Sequence, residues 1–345
     1  MYLLGPEVNG VLREQGAGVD IAGFARVLHL VVHVVVGARK CHSQYGQHCV
    51  ARDRQEHGAF DRAAHVDADG LESALRKARD VIAHVEDEMS LFRPNSALNR
   101  LNHSGVLHQP SAEMLSVLQM SQEIAKRSHG AFDVTVQPLW QLYARAQKEG
   151  RLPSVKEVAG VQQCVGWQRL HITPTKIKLM HPSMGISLNG IAQGYATDLV
   201  KASLRSDGVS HALINAGEWS AIGLADAERP WILGIADPHR ANAWLTRVEM
   251  NGLSIATSAD DQCAFSADRK HHHIFNPHTG YSPQDISSAT VAASSCALAD
   301  ALTKVLFVAG YEHALHIAQA WQVSALVVNK QGEWKASTNF PRVTA

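Results

Sequence analysis

Residues 190–204 read GIAQGYATDLVKASL, and three apolar stretches follow them, HALINA (211–216), WILGIA (231–236) and WLTRVEM (244–250). Residues 190–204 have the apolar spacing of a helix, whereas the three stretches that follow are short and typical of strands. One helix followed by three successive strands lacks the strict βαβ alternation of a doubly wound sheet. The sequence therefore predicts an α+β fold.

Regular patterns continue on both sides of this segment. Apolar residues recur at intervals of three and four after Asp69, which is a suitable N-cap, and a break is expected at Gly310. The predicted elements are helices over 69–89, 111–130, 297–308 and 311–321, short strands within 167–188, and a closing hairpin of 323–328 with 334–337.

The composition excludes several classes of protein. Thirty-two basic and thirty-two acidic side chains give a net charge of +0, so the chain lacks the basic surface of a nucleic-acid-binding protein. The 46% hydrophobic content suits a folded core, and the five cysteines form no CxxC pair, which favours free thiols over a zinc or disulfide framework. The sequence contains no GxxxxGK[ST], HExxH or GxSxG motif.

The amino-terminal segment, residues 1–63, stands apart from the rest, and we expect it to be atypical or poorly ordered. Its apolar run VLHLVVHVVVGA (27–38) is shorter than the roughly 20 residues of a membrane helix. A buried strand and a degenerate export signal both explain this run. The domain proper is predicted to cover 64–345.

Two glycine-containing segments are candidates for ligand binding. In HGAFDVTVQPLW (129–140) a turn would bring Phe132 and Asp133 into a strand, although a purely structural turn is an alternative. ISLNGIAQGYATD (186–198) has two glycines at a helix start, where each costs about 1 kcal/mol relative to alanine. Close approach of a phosphate, a nucleotide or a packed sheet would explain both glycines.

Two further segments carry titratable groups. In HHHIFNPHTGY (271–281), alternation places His271 and His273 on one face, so metal ligation, an acid–base or phosphate role, and a solvated edge strand all remain open. In SSCALADALTKVLF (294–307), Asp300 shares a helix face with Thr303 and Lys304. A carboxylate beside a hydroxyl suits Mg²⁺, and an Asp300–Lys304 ion pair on a solvated face is the alternative.

Taken in order, eight segments resemble the ApbE family of flavin transferases (FAD:protein FMN transferases). They are MSLFRPNSALNRLN (89–102), GAFDVTVQPL (130–139), ISLNGIAQGYATD (186–198), HALINAGEWSAIG (211–223), WILGIADP (231–238), IATSADD (255–261), HHIFNPHTGYSP (272–283) and ADALTKVLFVAG (299–310). The resemblance implies an ApbE-like, T-fold-related mixed sheet with packed helices and an FAD cleft.

The resemblance also implies an activity. Family members transfer FMN from FAD to a threonine or serine hydroxyl of a target flavoprotein, release AMP and use magnesium, while some hydrolyse FAD to FMN and AMP. The expected partners are therefore FAD and a target flavoprotein subunit, which could belong to a membrane-bound complex, and no nucleic acid. An FAD pyrophosphatase and a non-catalytic flavin-binding protein are the alternatives. The compartment is left open, because family members are often exported and this chain has no convincing leader.

Site residues are carried over by matching motif positions. His273 is the expected catalytic base or phosphate contact. The metal ligands are expected to be Asp300, Thr303 and the backbone carbonyl of Gly190. The expected FAD contacts are Phe92, Ala131, Phe132, Asp133, Ser187, Gln193 and Ile274.

The chain departs from the family pattern at several positions. Ser187 stands where an aspartate is usual, and Asn276 replaces the aspartate of a turn. The usual threonine lies four residues after the metal-binding aspartate, but here that place is Lys304 and Thr303 comes one residue earlier. An ammonium there could compete with magnesium or replace it beside the pyrophosphate. The family's amino-terminal methionine element is not recognisable.

Overall fold

The computed structural model describes residues 68–225 and 228–343, together with the short strands 2–3, 33–36, 42–43 and 47–48. The helices are α1 (Ala68–Met89), α2 (Ala97–Ser104), α3 (Ala112–Arg127), α4 (Gln137–Lys148), α5 (Val155–Gln162), α6 (Ala192–Ser206) and α7 (Cys296–Ala320). Short 3₁₀ turns cover Val134–Val136 and Trp167–Arg169.

The strands are numbered in chain order. They are β1 (Tyr2–Leu3), β2 (His33–Val36), β3 (His42–Ser43), β4 (Gln47–His48), β5 (Val106–His108), β6 (Leu170–Thr173), β7 (Lys176–Leu179), β8 (Ala212–Asn215), β9 (Trp219–Ile222), β10 (Trp231–Ala236), β11 (Trp244–Met250), β12 (Ser254–Ala259), β13 (Ile286–Ala293), β14 (Ser324–Asn329) and β15 (Trp334–Ala336).

A seven-stranded sheet forms the centre of the fold. Its strand order is β15-β14-β13-β12-β9-β8-β2, and the pairs are antiparallel. Smaller sheets have the orders β1-β10-β11 and β5-β7-β6, and β3 pairs with β4. Helices are packed on antiparallel sheets, which confirms the α+β prediction.

Both faces of the central sheet are covered. Helix α7 packs across β12, β13 and β14, and α6 lies between α7 and α1. On the opposite face, apolar side chains of β10 and β11 such as Leu233 and Met250 share a buried cluster with Leu326 and Val328 of β14. Because it is covered on both sides, β13 is buried along its whole length.

The predicted break in the last long helix is present at Gly310, where the backbone takes φ 79° and ψ 165°. A side chain is excluded there because a Cβ would lie 2.7 Å from the carboxylate of Asp285. The predicted helices over 69–89 and from Ser111 and the closing hairpin are also confirmed. The N-cap prediction at Asp69 is wrong, because the helix already includes Ala68.

The carboxy-terminal residues complete the small sheet. The Glu249 amide donates to the carbonyl of Pro341 (2.7 Å), and the Val343 amide donates to the carbonyl of Arg247 (2.9 Å). Phe340, which is 4% exposed, anchors this segment in the cluster beneath β11. The outer edge of β11 is therefore paired.

Parts of the amino-terminal segment join these sheets. Strand β1 pairs with β10, and β2, which lies in the apolar run 27–38, pairs with β8, in agreement with the strand interpretation of that run. Strands β3 and β4 pair with each other, and the remaining residues of 1–63 lie outside the described residues. Among the described residues, no helix has the length and apolar character needed to cross a bilayer.

Candidate active site

Two side chains cap the amino-terminal end of α7, the helix that carries Asp300. The Ser295 hydroxyl accepts from the Leu298 amide (3.2 Å), and the Asp198 carboxylate of α6 accepts from the amides of Cys296 (2.8 Å) and Ala297 (3.0 Å). A carboxylate at a helix N-terminus satisfies amides that have no partner within the helix. Helix α6 thereby fixes the start of α7, which carries Asp300.

Gly194 lets these two helices touch. A Cβ on Gly194 would lie 2.4 Å from the carbonyl oxygen of Cys296, closer than any side chain could tolerate. The Gly194 amide also donates to Asp300 Oδ2 at 3.2 Å. Helix–helix contact, and not sheet packing, is thus the close approach that this glycine permits.

Asp300 is 1% exposed and forms an ion pair with Lys304, one turn later on the same helix. The ammonium contacts Asp300 Oδ1 and also donates to the Asp300 backbone carbonyl at 3.1 Å. The sequence left open an ion pair on a solvated face. The pair is present, but the face is buried, and the Lys304 side chain is only 19% exposed.

Thr303 lies behind Asp300 and points toward the sheet. Its hydroxyl donates to the Asp300 carbonyl (2.6 Å) and is 2.7 Å from the Ser258 hydroxyl of β12. The side chains of Thr303 and Ser258 are both buried. The Thr303 oxygen is therefore committed to contacts within the protein.

Glu218, in the tight connection between β8 and β9, is the site residue that the sequence analysis did not single out. It is 8% exposed, and its Oε2 accepts from the Thr257 amide at 3.3 Å. Burial and the nearby Asp300 carboxylate raise the pKa of Glu218 well above its usual value, whereas the Lys304 charge acts in the opposite direction. A glutamate inside INAGEWSAI, an otherwise apolar strand pair, is the signal that could have revealed it.

The histidine segment lies in a bent loop with a single bridge, Ala264 to His272, and not in a strand. The His273 amide and Nδ1 both contact the Cys263 carbonyl, at 2.9 and 3.2 Å. Burial, with the charges of His272 and Lys304, lowers the pKa of His273 to about 3. The ring is therefore neutral at pH 7, with Nδ1 protonated toward Cys263 and Nε2 as its proton acceptor.

His272 faces the interior and contributes to the core. Its Nε2 donates to the Pro283 carbonyl (3.0 Å), and its Nδ1 accepts from the Ile274 amide at 3.4 Å. The predicted backbone contact at Ile274 thus lies directly beside this ring.

Within the described part of the chain, no cluster of three or more His, Cys, Asp or Glu side chains could hold a metal ion.

The strand predicted after Phe132 is wrong, because a 3₁₀ turn and α4 follow instead. Asp133 caps this turn. Its Oδ1 accepts from the Thr135 amide (2.8 Å) and hydroxyl (2.6 Å), and its Oδ2 accepts from the Trp167 amide at 2.9 Å. Burial raises the pKa of Asp133, and the donated hydrogen bonds counteract that effect. Pro138 in the first turn of α4 and the long side chains that follow favour a helix start over a strand.

The turn's neighbours are positioned by hydrogen bonds. The amides of Ala131 and Phe132 donate to Ser128, at its carbonyl (3.1 Å) and its hydroxyl (3.2 Å). Phe132 is 4% exposed, and its ring lies 3.4 Å from the position of a Cβ on Gly190. The 130–133 turn therefore packs directly on the 186–190 segment.

Segment 186–190 is held between two elements. The Asn102 amide group bonds both backbone groups of Ile186, and the Ser187 amide donates to the Val134 carbonyl (2.8 Å). A Cβ on Gly190 would lie 3.2 Å from Lys304 Cε. Gly190 therefore lies directly beside the Lys304 side chain.

Gln193 begins α6 on the other side of this segment. A Cβ on Gly217 would lie 2.9 Å from Gln193 Cβ, which places Gln193 over the connection that bears Glu218.

A cavity of about 400 Å³ opens beside the same segment. Its wall includes Phe92, Asn99, Gln137 and Asn189, and the Phe92 ring is 36% exposed. Asn99 holds the Phe92 loop through donated hydrogen bonds to the carbonyls of Leu91 (3.0 Å) and Arg93 (2.9 Å). An exposed aromatic ring on a preformed cavity suits a flat ligand ring.

The structure thus brings together Gly190, Phe132, Lys304 and Asp300, with Glu218 and His273 within electrostatic range of Lys304. Phe92 lines the cavity together with Asn189, which precedes Gly190 in the chain. Oxygens suited to Mg²⁺ are present, but those of Asp300 already bind Lys304 and Gly194, and that of Thr303 is committed to its own contacts. As arranged, this donor set does not fit a divalent cation.

Comparison with known proteins identifies relatives of the whole domain. A sequence profile described as "ApbE family" matches residues 55–327. A Vibrio cholerae protein named FAD:protein FMN transferase is 29% identical over 258 residues, covering 72% of this chain and 77% of that protein. An Escherichia coli K12 protein of the same name is 28% identical over 294 residues, covering 80% of this chain and 83% of that protein.

Solved structures resemble the fold. The Vibrio cholerae flavin transferase ApbE superposes with a TM-score of 0.68 at 25% identity, covering 80% of this chain and 90% of that one. An ApbE protein from Thermotoga maritima has a TM-score of 0.74 at 23% identity, covering 82% of this chain and 94% of that one, and indicates the fold alone.

Proposed function

The chain belongs to the ApbE family, and we propose that it is a flavin transferase that moves FMN from FAD to a hydroxyl of a target flavoprotein. The relatives that match most of its length carry the name FAD:protein FMN transferase. The observation that supports the proposal most strongly is that Asn189 lines the Phe92 cavity while the next residue, Gly190, packs against the Lys304 side chain. A bound dinucleotide needs such a combination of an apolar ring site and a cation for its diphosphate.

In this proposal Phe92 stacks on one ring system of FAD at the cavity wall. Base–aromatic stacking is sequence-tolerant and contributes about 1–3 kcal/mol per ring. The expected contacts at Ala131, Phe132, Asp133, Ser187, Gln193 and Ile274 remain predictions. The Asp133 carboxylate accepts three hydrogen bonds from its own turn and neighbourhood, so we expect its part to be positioning of that turn.

The transfer step is a displacement at phosphorus. The acceptor hydroxyl oxygen, proposed to be that of a threonine or serine, forms a bond to the FMN phosphorus. The bond from that phosphorus to the bridging oxygen breaks, and AMP leaves with this oxygen. The hydroxyl proton is released, and His273 is the proposed acceptor, as the family resemblance implies. Burial keeps this ring neutral, and its low pKa makes it a weak base, so bound substrate must raise that pKa for the transfer to proceed.

Negative charge develops on the diphosphate during this step and requires a cation. The resemblance predicts Mg²⁺ at Asp300, Thr303 and Gly190, where the ion would neutralise diphosphate charge. Those side-chain oxygens are engaged by other groups, so no step is assigned to the ion here. A membrane-bound target complex is a further extension of the proposal that the family resemblance motivates.

The full chain, FAD and a candidate acceptor flavoprotein test this function directly. Covalent flavin fluorescence on the denatured acceptor, with one AMP released per label, is the expected result. Free FMN and AMP without label would indicate an FAD pyrophosphatase, in which water takes the place of the hydroxyl. FAD that binds but stays intact would indicate a flavin-binding protein, and either outcome contradicts the transferase proposal.

A further inference from the structure

The ammonium group of Lys304 is a positive charge beside Asp300 in the candidate site. Its ammonium contacts one carboxylate oxygen of Asp300 and lies 3.1 Å from the Asp300 backbone carbonyl. The carboxylate is 1% exposed, and the Lys304 side chain is 19% exposed. A buried carboxylate keeps its charge only when a cation stays beside it, so this pair is a fixed part of the site.

The lysine stem extends along the segment that borders the cavity. A Cβ on Gly190 would come within 3.2 Å of Lys304 Cε and 3.6 Å of its Cδ. The preceding residue, Asn189, lines the cavity together with Phe92. In the proposed binding mode, a nucleotide whose ring rests on Phe92 passes Asn189 and Gly190 and places its phosphates near this ammonium.

Two other titratable groups lie near the ammonium. Glu218, from the β8–β9 connection, and His273, from the loop after β12, are both close enough for the Lys304 charge to act on them. A second cation at Asp300 would compete with the ammonium for the same oxygen and repel it. One cation, and not two, is compatible with this arrangement.

We propose that the Lys304 ammonium is the resident cation of this site and binds the diphosphate of FAD without a divalent metal ion. Lysine is a strong phosphate ligand that acts as a compact point charge. The inference rests on the proposed function for its catalytic consequence, since the bond changes are those given above. Its structural part, that Lys304 takes the position of a metal ion at Asp300, stands independently.

Metal binding tests the structural part without any turnover. Mn²⁺ is titrated into chelator-treated full-length protein, and the free ion is followed by electron paramagnetic resonance. We expect K304T to bind one Mn²⁺ at least tenfold more tightly than the unchanged protein, and K304T/D300N to lose that gain. K77T is the matched control, because Lys77 pairs with Asp207 on the surface and should create no such site. A single tight Mn²⁺ in the unchanged protein that D300N abolishes would overturn the proposal.

Turnover tests the catalytic part. With the unchanged protein, FAD conversion in EDTA should stay within about twofold of its rate in Mg²⁺. K304T should lose at least 100-fold in EDTA and recover partly when Mg²⁺ is added. If K304T melts before assay, K304Q replaces it, with the same loss in EDTA expected. A strict Mg²⁺ requirement of the unchanged protein would refute the inference, whereas no FAD conversion under any condition would refute the proposed function and leave the Mn²⁺ titration decisive for Lys304.

Discussion

The side-chain oxygens of Ser258 and Thr303 lie 2.7 Å apart and join β12 to the turn of α7 that carries Asp300. Thr303→Val keeps the shape of the side chain but leaves the buried Ser258 hydroxyl without this partner. We expect a loss of about 1–3 kcal/mol in the free energy of unfolding, measured by urea denaturation. Combining it with Ser258→Ala should recover part of the loss, since no hydroxyl is then stranded. Strict additivity of the two single losses would contradict direct coupling between these side chains.

Gly194→Ala tests the contact between α6 and α7. The added methyl would lie 2.4 Å from the Cys296 carbonyl oxygen, so the helices must separate, and we expect a loss of about 1–3 kcal/mol or more in urea denaturation. Gly160→Ala in α5 is the matched control. Its methyl meets nothing within 4 Å, and alanine should raise stability there by about 0.5–1 kcal/mol. Equal effects at the two glycines would refute the packing argument.

Because His272 is buried, we expect the free energy of unfolding to fall in acid. Burial lowers its pKa from 6.5 to about 4, so between these values the unfolded chain binds a proton that the folded chain does not. Its contribution is fully present above pH 6.5, declines as the pH falls toward 4, and totals about 3 kcal/mol. Urea denaturation at several pH values should give a shallower dependence for His272→Gln. An unchanged slope in that variant would exclude His272 as the group responsible.

The exposed ring of Phe92 predicts a specific effect on ligand binding. Phe92→Ala should weaken FAD binding about 5- to 100-fold, measured by flavin fluorescence quenching, because a stacked ring contributes about 1–3 kcal/mol. Phe92→Tyr should retain most of the affinity. Leu152→Ala is the control, since Leu152 is 40% exposed and lies outside the cavity wall. Unaltered FAD affinity in Phe92→Ala would remove Phe92 from the proposed site.

Much of the fold could be predicted because its patterns are local. The spacing of apolar residues after Asp69, the helix that starts at Ser111 and the break at Gly310 each depend on residues within a few turns. The segment after Phe132 failed because a β-branched VTV run also fits a tight turn, and long-range hydrogen bonds to the Asp133 carboxylate favour that turn. The full strand order could not be read from the chain, since β9 pairs with β12 although β10 and β11 lie between them in the sequence.

The candidate site, like the strand order, could be predicted only as far as local sequence patterns reach. The helix spacing places Lys304 beside Asp300, and both readings of that pair could be stated from the sequence. Whether Asp300 and Lys304 form a surface ion pair or place a cation inside the site depends on how far the pair is buried. That burial depends on the packing of Gly190, Gly194 and the β8–β9 connection around it. Glu218 was missed for this reason, because only the folded sheet brings it to Asp300.

The pairing of residues 341–343 with β11 has a consequence for how the protein behaves in concentrated solution. A strand with free amides and carbonyls at a sheet border recruits strands of other molecules and promotes aggregation. Here the Pro341 carbonyl and the Val343 amide form hydrogen bonds with the free backbone groups of β11. Phe340 packs into the buried cluster beneath that strand and holds residues 341–343 in place. Proteolytic trimming before Phe340 would leave the border open, so shortened chains should self-associate and precipitate while the cavity beside Phe92 is still intact.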